Sequence, residues 1–164
     1  MLYSKTCEYA IRALLYLASK PKGEYVLTRH VSRETGIPPA YLAKIVRDLA
    51  HHKILLSRCG AAGGVALAVE PKEISLQRIV LLMDDPAHLK ACVMGLDRCS
   101  DQNACPLHEV WAAARYKMTR KMQKTTLDTV TKKVGKSRYR EMTRGRLNSR
   151  LFLTSIGNNP SKKN

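Results

Sequence analysis

A chain of 164 residues, 45% apolar and carrying a formal charge of +16, has the length of one ordinary domain, or of one domain and an arm. No apolar run approaches a membrane span, and the opening MLYSKTCEYA has no signal-peptide pattern, so a cytoplasmic protein without a membrane partner is expected. In a reducing compartment, five cysteines argue against a disulfide framework.

The charge is unevenly placed. Residues 1–111 hold 14 Lys and Arg against 11 Asp and Glu, while residues 112–164 hold 15 against 2. A nearly balanced globular part therefore precedes a basic arm. Such an arm suits a polyanion, or serves only to keep the chain soluble.

In chain order, Tyr3–Ser19 reads as a helix. Cys7, Ala10, Ile11, Leu14, Leu15 and Ala18 share one apolar face, and Pro21-Lys22-Gly23 ends it. Cys7 on that face reads as core, and Glu8 beside it as a solvated charge. Thr28–Thr35 is a short helix with Thr28 placed to cap it and Gly36 placed to close it. Proline at Pro38-Pro39 is preset for the first turn of a second helix running to about His52. Leu42, Ile45, Val46 and Leu49 form its apolar stripe, while Tyr41, Lys44, Arg47 and Lys53 are on exposed positions. Two short helices about a tight glycine turn describe a helix-turn-helix, whose second helix reads the major groove.

Ile54–Arg58 has strand character, Gly60–Gly64 a turn, and Val65–Val69 returns as a second strand. A helix-turn-helix followed by a glycine-tipped hairpin is the winged-helix arrangement, and tip glycines let a backbone approach a duplex closely. Ser75 then caps a helix bearing Leu76, Ile79, Val80 and Met83, stopped at Asp84-Asp85-Pro86. Pro106 opens a long helix with Leu107, Val110, Trp111, Ala114, Met118 and Met122 on one stripe, to roughly Leu127. With little chain left to cover that stripe, a second copy is the expected partner. Past Thr131 the periodicity is lost and an arm is expected to be disordered until it meets a partner.

Between these helices sits a cysteine loop. Cys92 and Cys99 enclose six residues, Cys99 and Cys105 five, and His108 follows Cys105 by three. Gly95, Asp97, Ser100, Asp101 and Asn103 favour turns, so the cysteines are not on an apolar helical face. A loop can wrap several soft thiolate donors round one centre, and this spacing fits zinc or an iron–sulfur cluster without separating them.

Together, in this order, the residues resemble the bacterial winged-helix iron–sulfur regulators of the IscR/NsrR family, over about residues 1–130. The resemblance rests on Tyr9-Ala10, Ala13 and Leu17-Ala18; on Ile37, Tyr41-Leu42, Lys44-Ile45 and Leu49; on Gly60, Gly63 and Gly64; and on the three-cysteine loop before a long helix. It implies a homodimeric DNA-binding regulator, most simply a repressor, whose bound 2Fe-2S or 4Fe-4S cluster alters its affinity for a double-stranded operator. It implies Cys92, Cys99 and Cys105 as ligands, with His108 as the fourth or, in its place, Glu8 from the partner subunit. Candidate DNA contacts are Thr28, Pro39, Ala40, Tyr41, Lys44 and Arg47 from the helices, and Arg58, Gly60, Gly63 and Gly64 from the wing. The first cysteine interval is one residue longer than the family's usual one. Cys59 also holds the wing slot where the family usually places arginine, leaving Arg58 one step earlier.

The fold class expected is mainly α, a winged helix-turn-helix domain with a long dimerisation helix. Its parts are residues 1–84 for DNA binding, 85–106 for the cluster loop, 107–130 for dimerisation and 131–164 for the arm. A zinc- or thiol-based sensor on the same scaffold is the alternative. An enzyme is disfavoured, because no phosphate loop, nucleophile elbow or paired-carboxylate site is present in the sequence.

Overall fold

The computed structural model describes residues 3–60, 63–96 and 99–134. Helix α1, Lys5–Ala18, starts two residues later than its apolar pattern because Ser4 caps it, the hydroxyl accepting from the Cys7 amide at 3.1 Å. Asp84 holds that serine in turn, accepting from its N–H at 2.7 Å and its hydroxyl at 2.5 Å. Cys7, Ala10, Leu14 and Leu15 of α1 lie in the core as their spacing requires.

Helices α2, Thr28–Thr35, and α3, Pro39–His51, pack on α1 and on each other. Gly36 closes α2 at φ +67°, in the left-handed region where glycine costs least. Thr28 does not cap α2: Leu27 holds that position, and no side chain accepts from the first turn. On α3, Leu42, Ile45 and Leu49 are fully buried, so the predicted stripe does face the core. Strand β1, Leu55–Arg58, pairs antiparallel with β2, Gly64–Leu67, in the register Leu55 to Leu67 and Arg58 to Gly64. Val26 joins as a third rung through reciprocal 2.9 Å backbone bonds with Val65. Three helices and a paired hairpin in this order form a winged helix.

Helix α4, Leu76–Met83, is capped by Ser75, whose hydroxyl accepts from the Arg78 amide, and it packs on α1. A loop with two short 3-10 turns leads to α5, His108–Lys124. Pro106 and Leu107 precede that helix rather than open it. The expected continuous helix to Leu127 or beyond is interrupted, because Thr125 is extended and its carbonyl accepts from the Leu76 amide at 2.9 Å. Thr126 bridges Ser75, and its hydroxyl accepts from the Thr129 amide, capping a further helix over 127–134, here α6. Leu127 enters the core with no exposure. Residues 131–134, expected as the start of an irregular arm, thus belong to a helix, and residues 135–164 lie outside the described residues. Among the described residues no helix is long and apolar enough to cross a membrane.

The stripe on α5 divides. Met122 is buried and Trp111 half-buried, but Val110 is 73% exposed, and Leu107, Tyr116 and Met118 are also open.

Candidate functional site

Tyr41, Lys44 and Arg47 are exposed on the side of α3 opposite Leu42, Ile45 and Leu49, with Pro39 and Ala40 exposed at its start. Tyr41 is steadied edge-on by Tyr9, with ring centres 6.1 Å apart. Thr28 is half-buried at the head of α2. At the wing, Arg58 places its guanidinium 4.2 Å from the centre of the Tyr25 ring, a partner that spacing could not reveal. Gly60 is exposed at φ +99°, whereas Gly63 and Gly64 are buried. A Cβ at Gly63 would collide with the Arg58 carbonyl, and one at Gly64 with the Val26 carbonyl. These two glycines serve close approach within the hairpin itself, and Gly60 alone of the three faces outward.

The cysteine loop is held at its entrance by α5. Trp111 donates its indole N–H to the Ala91 carbonyl at 2.9 Å, and the Arg115 guanidinium donates to the Lys90 carbonyl at 3.0 Å. A turn follows, with the Gly95 amide donating to the Cys92 carbonyl at 3.1 Å and Gly95 in the left-handed region. Cys92 is 8% exposed, and Cys99 and Cys105 are half-buried. The Met94 amide draws the Cys92 thiol below its ordinary range; burial opposes this, while the Leu96 amide and the Cys105 and Cys99 side chains add to it. The Cys99 and Cys105 side chains, distant in sequence, thus both bear on the Cys92 thiol.

His108, the first residue of α5, is 8% exposed and completes the group. Its Nδ1 lies 3.4 Å from Cys99 Sγ and its Nε2 2.8 Å from Asp101 Oδ1, and its amide donates to the Cys105 carbonyl at 2.9 Å. Glu8 is placed differently. Its carboxylate accepts from Lys5 at 2.8 Å and from Arg12 at 2.6 Å, and Arg12 also reaches the Thr35 carbonyl at 3.3 Å. Among the described residues no hydrogen bond or ion pair joins Glu8 to the cysteine loop. Cys7 lies in the core, where burial, with Asp84 nearby, pushes its thiol from 9.0 up to about 12. Cys59 is exposed on the wing.

Among the described residues no three His, Cys, Asp or Glu side chains are arranged round a point as a single metal ion would require. Three thiols on one loop, with an imidazole nitrogen 3.4 Å from one of them, are a donor set whose chemistry fits an iron–sulfur cluster.

The family model "Rrf2: Iron-dependent Transcriptional regulator" matches residues 3–133. The chain belongs to the Rrf2 family. A Mycobacterium tuberculosis protein described as an HTH-type transcriptional regulator is 33% identical over 131 residues, covering 79% of this chain and 81% of that one. The HTH-type transcriptional regulator NsrR of Shouchella clausii is 32% identical over 111 residues, 65% of this chain and 74% of that one. Among solved structures, CymR, the global cysteine regulator of B. subtilis, superposes with a TM-score of 0.66 at 21% identity, covering 80% of this chain and 97% of its own. That likeness establishes the winged-helix fold.

This Rrf2 chain is therefore a DNA-binding transcriptional regulator and not an enzyme. Sequence patterning of the Rrf2 loop missed Asp101 as a partner of His108, having read it only as a turn former. It also missed the Trp111 and Arg115 tethers, since a residue on an apolar stripe gives no sign that its N–H is committed elsewhere.

Proposed function

We propose that this regulator binds a double-stranded operator as a homodimer, most simply as a repressor, and that an iron–sulfur cluster held in the loop switches its affinity. The supporting observation is the pairing of Cys99 Sγ with His108 Nδ1 at 3.4 Å, beside a Cys92 thiol whose pKa the Met94 amide, and more weakly Cys105 and Cys99, draw down. Cys92, Cys99 and Cys105 would hold a 2Fe-2S or 4Fe-4S cluster, with His108 as fourth donor; Glu8 of a second subunit is the other candidate. When bound, the cluster supplies a centre that reacts with nitric oxide or oxygen, or is lost when iron is scarce. The chain's own residues do the rest. Trp111 and Arg115 fasten the loop to α5, so a change in the loop bears on that helix. The open face of α5, with Val110 and Met118 and the preceding Leu107, suits a twin helix in a dimer, which would set the spacing of two α3 helices. Tyr41, Lys44 and Arg47 would then contact DNA, with Arg58 and Gly60 at the wing.

Anaerobically purified protein tests the reading. Brown protein whose colour is lost in each of Cys92→Ala, Cys99→Ala and Cys105→Ala, with operator affinity changing on cluster loss, is the expected result. A thiol sensor is the second reading, favoured by the lowered pKa of the Cys92 thiol. Colourless protein whose operator affinity follows reversible oxidation of those cysteines would establish it instead, and colourless protein retaining zinc would point to a zinc sensor.

A further inference from the structure

His108 has both ring nitrogens engaged. Nε2 meets Asp101 Oδ1 at 2.8 Å, and Nδ1 meets Cys99 Sγ at 3.4 Å. A carboxylate accepts hydrogen bonds and has none to give, so the contact with Asp101 places the ring hydrogen on Nε2. In the neutral ring, the form that can ligate a metal, the lone pair then lies on Nδ1, the nitrogen beside Cys99 Sγ. The ring is buried and its backbone N–H is tied to Cys105, whereas Asp101 is exposed on the short turn Asp101–Asn103. Two cysteines, the aspartate and the histidine are thus threaded on the single segment Cys99–His108.

We infer that Asp101 is a positioning residue which commits His108 to donate to iron through Nδ1. This rests on the reading of His108 as the fourth ligand. A carboxylate on the far N–H of a ligating imidazole fixes its tautomer and ring orientation and makes the near nitrogen a stronger donor. A stronger donor stabilises the oxidised form of the iron it binds, which lowers the reduction potential. It also slows loss of the cluster. Among the described residues Glu8 has no equivalent arrangement, because Lys5 and Arg12 already occupy its carboxylate.

The test uses the full chain loaded anaerobically with iron and sulfide, then reduced. Histidine carrying nitrogen-15 at Nδ1 alone, or at Nε2 alone, is incorporated, and pulsed electron paramagnetic resonance reads the coupling to the label. Strong coupling from the Nδ1 label and weak coupling from the Nε2 label are expected, with the strong coupling absent in His108→Ala; the reverse pattern overturns the inference. Asp101→Asn should raise the reduction potential and speed cluster loss to a chelator by about tenfold or more. Potential and loss rate equal to the parent's overturn the role of Asp101, even if His108→Ala alters the spectrum. If His108→Ala changes neither spectrum nor potential, the fourth-ligand reading fails and the inference falls with it. Should Asp101→Asn refuse the cluster, the labelled parent protein still decides between the two nitrogens.

Discussion

At the scale of single residues, Cys7 and Cys92 show how far surroundings separate one side-chain type. Cys92 meets amide donors that favour its thiolate, and Cys7 lies in a core that resists ionisation up to about pH 12. A thiol with a raised folded pKa keeps its proton when the unfolded chain would release it. Its contribution to stability is complete below about pH 9 and is lost as pH rises towards 12. The urea midpoint of the parent should therefore fall above pH 9, and Cys7→Ala should flatten that fall; equal slopes would show that another group governs it. The wing glycines give a second contrast. Gly64→Ala forces a Cβ against the Val26 carbonyl at φ +138° and should cost about 1–3 kcal/mol in thermal melts. Gly60→Ala adds a Cβ in open space and should cost less, so equal losses would contradict this account of the hairpin.

At the scale of elements, the apolar spacing of α1 and α3 made both helices legible in the sequence, because burial on one face is a local pattern. The break after α5 was not legible. It depends on Thr125 and Thr126 pairing with Leu76 and Ser75, some fifty residues away in the chain, and periodicity carries no information about such a partner. The same limit hid Asp101 behind its turn propensity and Tyr25 behind Arg58. The cysteines themselves were plain from spacing, but the pairing of Cys99 with a buried His108 was not. Two variants probe these elements. Thr126→Ala removes the cap of α6 and should lower stability by about 1 kcal/mol in chemical denaturation. Lys44→Ala or Arg47→Ala should weaken operator binding, and losing a phosphate contact should reduce the slope of affinity against salt by about one. Affinity and slope unchanged in both would move the DNA surface away from α3.

At the scale of the whole molecule, exposed basic side chains on α3 and exposed apolar ones on α5 suit the two partners of the proposed function, DNA and a second copy. Residues 135–164 carry eight Lys and Arg against Glu141 alone, with little apolar periodicity, a composition suited to counterion release and not to base reading. Removing them should weaken binding to operator and to random DNA by similar factors; a loss confined to the operator would mean that this segment reads sequence. The open face of α5 should associate, so Val110→Glu should shift sedimentation from dimer to monomer while the helical signal in circular dichroism persists. An unchanged sedimentation coefficient would place the dimer contact elsewhere.

The bond from Trp111 to the Ala91 carbonyl has a practical consequence. The chain has a single tryptophan, and its indole N–H is tied to the residue immediately before Cys92. All tryptophan emission therefore arises from the threshold of the cysteine loop. Loosening of the loop would release the indole to water and shift that emission to longer wavelength, while DNA bound at α3 would leave the fluorophore's own surroundings in place. The protein thus has a built-in optical gauge of the loop, one that would follow cluster loss without a contribution from operator release.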